Sequence, residues 1–372
     1  MILVVYGTTG ELIKLMPVLT RLRERGIGFV QASTGQQTQQ IPRLLELAGL
    51  PPVDVWLARG ARGRDLRNNR DIPGWAGRVA ANFARSRPGL RRRLLAGEGD
   101  PVVLVHGDTM TTLYGAVLGR ILGFPVAHIE SGLRSFDLLH PFPEELNRRL
   151  TSRIASVLYA PGPWPASNLR RGAVVDTGSN TIRDALEAVP LDAKPPIEVP
   201  AGEFGIASLH RFELLKNHRL LEETIAVLSE SARPLLWVAH PVTVAALAKH
   251  GLSGSLGGNL HPIPRLDFFG FVAVMRRSAF FVTDSGGSQE ETYYLDIPCL
   301  IHRKRTERRE GLGENVVLSC YDTGVLRRFL AEPALHRRVR ELPPSHPSDV
   351  IVHDLESRGF TGHALGARVE RA

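Results

Sequence analysis

Asp284-Ser-Gly-Gly-Ser-Gln-Glu-Glu291 follows directly on the apolar run Ala279–Val282. The order predicts a buried strand, a tight glycine turn, and a helix whose first acids come after two further residues beyond the last glycine. Such a turn exposes backbone N–H groups at a helix N-terminus, where the partial positive charge favours a phosphate. Glu290 and Glu291, just inside the helix, sit badly beside a phosphate but well beside a sugar diol. A diphosphate plus a ribose is half of a nucleotide.

The chain around this segment has 372 residues, enough for two α/β domains that each bury a core. Hydrophobic residues make up 43% and charged residues 23%, the balance of a soluble globular protein. No apolar run approaches the roughly 18 residues of a membrane span, so no membrane partner is expected. The start, Met1-Ile-Leu-Val-Val-Tyr6, reads as a first strand rather than a signal peptide, which makes the cytoplasm the expected compartment. Cys299 and Cys320 give neither a disulfide framework nor metal-ligand spacing. The net charge of +8 suits an anionic ligand. Aromatic residues are only 6%, however, and arginines fall in helix-like stretches such as Arg91–Arg93, so nucleic acid is not the expected partner.

Strands and amphipathic helices alternate along the chain, which predicts parallel sheets covered by helices. Strands are expected at Ile2–Tyr6, Gly28–Ser33, Val102–His106, Pro125–Ile129 and Val157–Ala160, with a long helix within Gly74–Leu95. Val189–Pro200 carries four prolines in twelve residues and reads as part of a crossing between domains. Alternation then restarts with strands Phe204–Ser208, Pro234–Val238, Phe280–Thr283 and Cys299–Ile301. The expectation is residues 1–180 as one Rossmann-like domain, joined by a helix over about 350–372, and 181–350 as a second. The two would face each other across a ligand-binding cleft.

Polar clusters recur where apolar strands end, the place open α/β sheets reserve for function. The first strand runs into Gly7-Thr-Thr-Gly10 and, one helical turn later, Lys14; the two glycines would permit close ligand approach. The turn lacks the third glycine of a dinucleotide fingerprint, and the second strand ends in Ser33-Thr-Gly-Gln rather than an acid, which argues against NAD. His106-Gly-Asp108-Thr109 and His128-Ile-Glu130-Ser-Gly-Leu-Arg134 close two further strands. His140-Pro-Phe-Pro-Glu144-Glu145-Leu-Asn147-Arg148 opens a helix. Helix capping explains one of the acids in this last segment, but not Asp108 and Glu130. In the second half His210 and Arg211 follow a strand and suit a diphosphate, with His210 able to donate a hydrogen bond or a proton.

Together with Thr177-Gly-Ser-Asn-Thr181 and Thr306-Glu307-Arg308, these blocks resemble, in order and spacing, the non-hydrolysing UDP-N-acetylglucosamine 2-epimerases. These are members of the GT-B superfamily, and the resemblance runs from Met1 to about Val317. It implies an isomerase that interconverts UDP-N-acetylglucosamine and UDP-N-acetylmannosamine as a homodimer, with no metal or other cofactor. On the same resemblance Asp108, Glu130 and Glu144 are acid/base carboxylates, with Lys14 and Arg148 alongside. His210 assists the departing UDP, Ser285 and Gly286 hold the diphosphate with Gly287 beside them, Glu291 takes the ribose, and Arg308 supports the site.

Two positions depart from the family pattern. Thr9-Gly10 stands where the family has Arg-Pro, and Gln36-Gln37-Thr38 where it has Gln-His-Arg. The second neighbourhood belongs to an activating site in bacterial members, so weak or absent activation by substrate is expected. A hydrolysing epimerase, a GT-B glycosyltransferase with a separate acceptor, and a non-catalytic nucleotide-sugar sensor are the competing readings.

Overall fold

The computed structural model describes residues 1–61, 63–66, 69–137, 143–306 and 308–361. The expected helix over 350–372 falls partly beyond them, as do positions 140–142 ahead of Glu144 and position 307 beside Arg308.

The chain divides into two compact units: Met1–Ala185 together with the chain from Pro343 on, and Leu186–Leu342. Among the described residues, the first unit is built on β1 (Ile2–Tyr6), β2 (Phe29–Ser33), β3 (Val55–Trp56), β4 (Val102–His106), β5 (Val126–Ile129), β6 (Val157–Ala160) and β7 (Ala173–Asp176). Their spatial order is β3-β2-β1-β4-β5-β6-β7, and every pairing is parallel. The second is built on β8 (Gly205–Ser208), β9 (Leu235–Val238), β10 (Leu260–Ile263), β11 (Phe280–Thr283), β12 (Cys299–Ile301) and β13 (Val316–Leu318). Its order is β10-β9-β8-β11-β12-β13, again all parallel.

Both sheets are doubly wound. Chain direction across the sheet reverses between β1 and β4 in one unit and between β8 and β11 in the other, so each has a switch point where ligands of such sheets bind. The central strands β1, β4, β8 and β11 are buried along their whole length, as parallel strands covered on both faces must be. Alternation sorts their side chains by face. Ala207, Trp237, Phe280 and Val282 enter one core of the second unit, and Ile206, Leu236, Val238 and Phe281 the other. In the first unit the helix Met110–Leu122 lies close on the sheet because Gly115 carries no side chain. A Cβ there would approach Val105 Cγ1 to 2.6 Å.

The chain returns to the first unit at its end. Arg183 donates to the carbonyls of Pro343 (2.7 Å) and Ser345 (3.2 Å). Asp184 accepts from Ser348 N (2.8 Å) and lies 3.0 Å from His346 Nδ1. The helix Pro347–Ser357 then packs on the helix Thr9–Glu24, and its Asp354 accepts a hydrogen bond from the Tyr159 hydroxyl at 2.9 Å.

Candidate active site

In the first unit Asp108 follows β4 on a loop that Gly107 enters at φ +74°. That loop is held at every residue. His128 on β5 donates through Nε2 to Gly107 O at 2.7 Å, and Asn147 Nδ2 donates to Asp108 O at 2.9 Å. The Asp108 carboxylate pairs with buried Arg148 at 2.6 Å and keeps partial exposure. His128 is wholly enclosed, and burial pushes its imidazole down to about 4, so it is neutral and its Nε2–H is a fixed donor.

Glu130 lies just past the end of β5 at φ 64°, a left-handed backbone that a non-glycine residue adopts at a cost of about 1–3 kcal/mol. Its buried carboxylate takes donors from two directions, since Lys14 Nζ and Asn180 Nδ2 both reach Oε2. His106 Nε2 lies 3.9 Å from the same oxygen. Lys14 and Glu130, more than a hundred positions apart, are thus one ion pair. Lys14 projects from the inner face of the helix Thr9–Glu24.

Of the two acids that open the helix Glu144–Ile154, Glu145 is wholly buried. It accepts from Ser135 N (3.0 Å) and Arg149 Nε (2.9 Å), which gives it a structural role. Glu144 is half-buried, and its Oε2 meets no hydrogen-bond partner among the described residues.

The first glycine turn differs from the expectation that its glycines admit a ligand. A Cβ on Gly7 would meet Thr34 Oγ1 at 2.2 Å and Thr111 Oγ1 at 2.4 Å, so this glycine is required by neighbouring protein atoms. A Cβ on Gly10 would meet nothing within 4 Å. The amides at the turn are occupied: Gly7 N and Thr8 N donate to Glu11 Oε2 at 2.9 and 2.8 Å. Thr8 and Glu11 form a capping box, and its Thr-x-x-Glu signature was available in the sequence. Gln37 closes the other side, accepting from both the amide and the hydroxyl of Thr9 at 2.7 Å.

In the second unit the glycines lie inside the helix rather than ahead of it. The helix runs Gly286–Tyr294, with Ser285 as N-cap accepting from Ser288 N at 3.5 Å. Gly286 and Gly287 are therefore its first two residues, and their amides have no acceptor among the described residues. Asp284 turns away from this end and across the switch point to β8. It accepts from His210 N (2.9 Å) and Arg211 N (2.7 Å), which orients the two residues beside the helix terminus. Burial pushes its carboxyl up to about 6.

His210 stacks on His240, which follows β9, with centroids 5.0 Å apart. Burial first, and then nearby cations, push both imidazoles down to about 4. At neutral pH His210 thus offers a neutral N–H, not a cation.

The two acids of the opening motif part company. Glu290 is wholly buried and paired with Arg308, so it faces the fold and not a sugar. Glu291 is half-buried on the next position of the helix. Gln289 stitches the Arg308 loop to this helix. It accepts from Thr306 Oγ1 at 2.7 Å and donates to the carbonyls of Arg308 (3.3 Å) and Glu310 (2.9 Å).

Two groups thus form in the first unit, Lys14 with Glu130 and Asp108 with Arg148, while Glu144 pairs with neither among the described residues. In the second unit His210 and Arg211 gather at the Ser285–Gly287 helix end. Asn147 and Asn180 lie in the quoted motifs but carry no assigned role there, and Glu11 shows only its local capping signature, because the contacts to Asp108, Glu130 and Thr109 are long-range.

A family model described as UDP-N-acetylglucosamine 2-epimerase matches residues 90–325. The chain is 32% identical over 375 residues to the UDP-N-acetylglucosamine 2-epimerase of Yersinia pestis, covering 92% of this chain and 94% of that protein. Among solved structures, the Neisseria meningitidis UDP-GlcNAc 2-epimerase bound to UDP-GlcNAc superposes with a TM-score of 0.78 at 26% identity, covering 96% of this chain and 99% of the other. The Methanocaldococcus jannaschii UDP-GlcNAc 2-epimerase in complex with UDP-GlcNAc and UDP gives 0.77 at 26% identity, with the same coverage. The fold is GT-B.

Proposed function

Because the chain belongs to the UDP-N-acetylglucosamine 2-epimerase family, we propose that it interconverts UDP-N-acetylglucosamine and UDP-N-acetylmannosamine without net hydrolysis. The C2 proton of the sugar is not adjacent to a carbonyl, so its direct removal is prohibitively difficult. If the C1–O bond breaks first, its electron pair leaves with UDP and the resulting oxocarbenium ion acidifies C2–H. A carboxylate then takes that proton, the C1–C2 double bond forms, and 2-acetamidoglucal and UDP remain bound. Return of a proton to the opposite face of C2, with re-addition of UDP at C1, completes the inversion.

In this reading Asp108, Glu130 and Glu144 are the groups that exchange the proton. Lys14 and Arg148 set the charge around them. Ser285, Gly286, Gly287 and Arg211 receive the diphosphate, His210 donates to it as it departs, Glu291 takes the ribose diol and Arg308 braces the helix. The observation that carries the reading is the pair of ion-paired acids, Glu130 with Lys14 and Asp108 with Arg148, just past two adjacent parallel strands. Inversion needs acid/base groups on both faces of one carbon, and a simple glycosyl transfer would need fewer. No described helix is long and apolar enough to cross a membrane. We take the enzyme to act in the cytoplasm as a homodimer, the state the family resemblance implies, and sedimentation of the purified chain tests that state.

Incubation with UDP-N-acetylglucosamine in heavy water, followed by proton NMR at C1 and C2, tests the reaction. The expected result is deuterium at C2 and a new UDP-N-acetylmannosamine signal. Free N-acetylmannosamine with UDP would mean that water captures C1. An unexchanged C2 proton would sink the reading.

A further inference from the structure

Glu11 is 3% exposed and has no part in the roles assigned above, yet four donors converge on its carboxylate. Oε2 accepts from Gly7 N, Thr8 N and Thr8 Oγ1 at 2.8–3.0 Å. Oε1 accepts from Thr109 Oγ1 at 2.7 Å, and Thr112 Oγ1, whose proton goes to His106 O at 2.6 Å, lies 3.3 Å from the same oxygen. The first set belongs to the turn after β1 and the second to the turn after β4, so one side chain spans the switch point of the first unit. Thr109 is both the residue after Asp108 and the N-cap of the helix Met110–Leu122. Lys14 lies three positions after Glu11, on the same buried face of the same helix.

A capping box accounts for the Oε2 contacts alone, since it is complete within one turn of helix. It gives no reason for the second oxygen to reach across the switch point to Thr109. We propose that Glu11 is a positioning residue for proton transfer at C2. Through Thr109 it fixes the loop carrying Asp108, and through its own helix it fixes Lys14 relative to that loop. The inference rests on the epimerase reading above. A displacement of about 1 Å at a reacting group can cost about 100-fold in rate, and this carboxylate is a direct side-chain tie between the two turns.

Three variants test it: Glu11→Gln, Thr109→Val and Thr109→Ser. Glutamine keeps the volume but turns one acceptor oxygen into a donor. Valine removes the Thr109 hydroxyl, while serine keeps it. Rates of C2 deuterium exchange are normalised to the number of UDP-binding sites titrated by calorimetry, which removes any unfolded fraction.

The expected result is a fall in kcat for exchange of about 10- to 100-fold in Glu11→Gln and Thr109→Val. KM and UDP affinity should stay within about twofold, and Thr109→Ser should be restored to near the parent rate. Equal kcat in all three, with the parent chain exchanging normally, would overturn the positioning role and leave the epimerase reading standing. So would a loss confined to the number of titratable sites, which marks Glu11 as a fold-stabilising cap. If the parent chain itself fails to exchange C2–H, the epimerase reading falls first and this inference with it.

Discussion

The two sheets share one strand order over six strands, and each has a helix starting beside its switch point, yet the two helix ends are chemically opposite. In the first unit the N-cap sequence is Thr8-Thr-Gly-Glu11, and the glutamate folds back onto the amides of Gly7 and Thr8. In the second it is Ser285-Gly-Gly-Ser288, whose fourth residue cannot reach back, while Asp284 points the other way onto His210 and Arg211. One turn is closed by its own carboxylate, while the other leaves its first amides without an acceptor among the described residues, as the proposed diphosphate role requires. A glycine-rich strand-to-helix turn is therefore an anion site only if the third helical residue leaves it open.

The largest effects should come from the acids that the filled turn helps to hold. Asp108→Asn and Glu130→Gln are each expected to slow C2 exchange by about 100- to 10,000-fold, the range of a lost acid/base group. UDP should still bind both variants in calorimetry. Parallel loss of UDP affinity would show that the two turns do not divide the work as argued.

Next in size is a direct conversion of one turn into the other. Ser288→Glu builds a capping box at the second helix, so UDP affinity should fall by about tenfold or more, or roughly 1.4 kcal/mol. Unchanged affinity in titration calorimetry would remove the diphosphate from this helix end.

A smaller effect concerns pH and stability. His128, His210, His240 and His302 are all pushed down to about 4 by burial, below the usual 6.5. For a base held neutral, the stabilising contribution is complete above 6.5 and is lost as pH falls through 6.5 towards 4, because the unfolded chain takes up protons first. Asp284 runs the opposite way. Its carboxyl, raised from 3.8 to about 6, favours the fold below 3.8 and loses that contribution as pH rises through 6. Burial also raises the Glu11 carboxyl, so four imidazoles stand against two carboxyls, and their larger number predicts a Tm that drops as pH falls from 7 to 4.5. His128 alone contributes at most about 3 kcal/mol. His128→Gln should flatten part of that drop; an identical pH profile would show that the imidazole is not the titrating group.

The smallest expected effect lies where the chain departs from the family. Gln37 Oε1 accepts twice from Thr9, and Thr38 N donates to Asp65 Oδ1 at 2.8 Å. Rates should then rise hyperbolically with UDP-N-acetylglucosamine, and a strongly sigmoidal curve would contradict the expected lack of activation.

What could be read from sequence followed burial. The central strands are mostly apolar and buried along their whole length, and all of them were legible. The four strands that were not, β3, β7, β10 and β13, are the edges of the two sheets. Each is short and partly exposed, and β10 contains Pro262, so their sequences lack a continuous apolar signal. At the site, the acids after strand ends were visible because their positions are set by the strands. Their partners were not. The pairing of Lys14 with Glu130, of Glu290 with Arg308 and of Glu11 with Thr109 depends on how distant turns come together, and nothing local encodes it. Glu290 and Glu291 are adjacent and chemically identical, so only the rotation of the helix separates a buried brace from an outward-facing acid.

The return of the chain at Pro343 gives the molecule a definite order of birth. A ribosome adds about 5–20 residues per second, so making Leu186–Leu342 takes roughly 8–30 s. During that interval Arg183, Asp184 and Tyr159 have been synthesised but their partners have not. The inserted unit can close on itself while the nascent first unit still lacks its last helix.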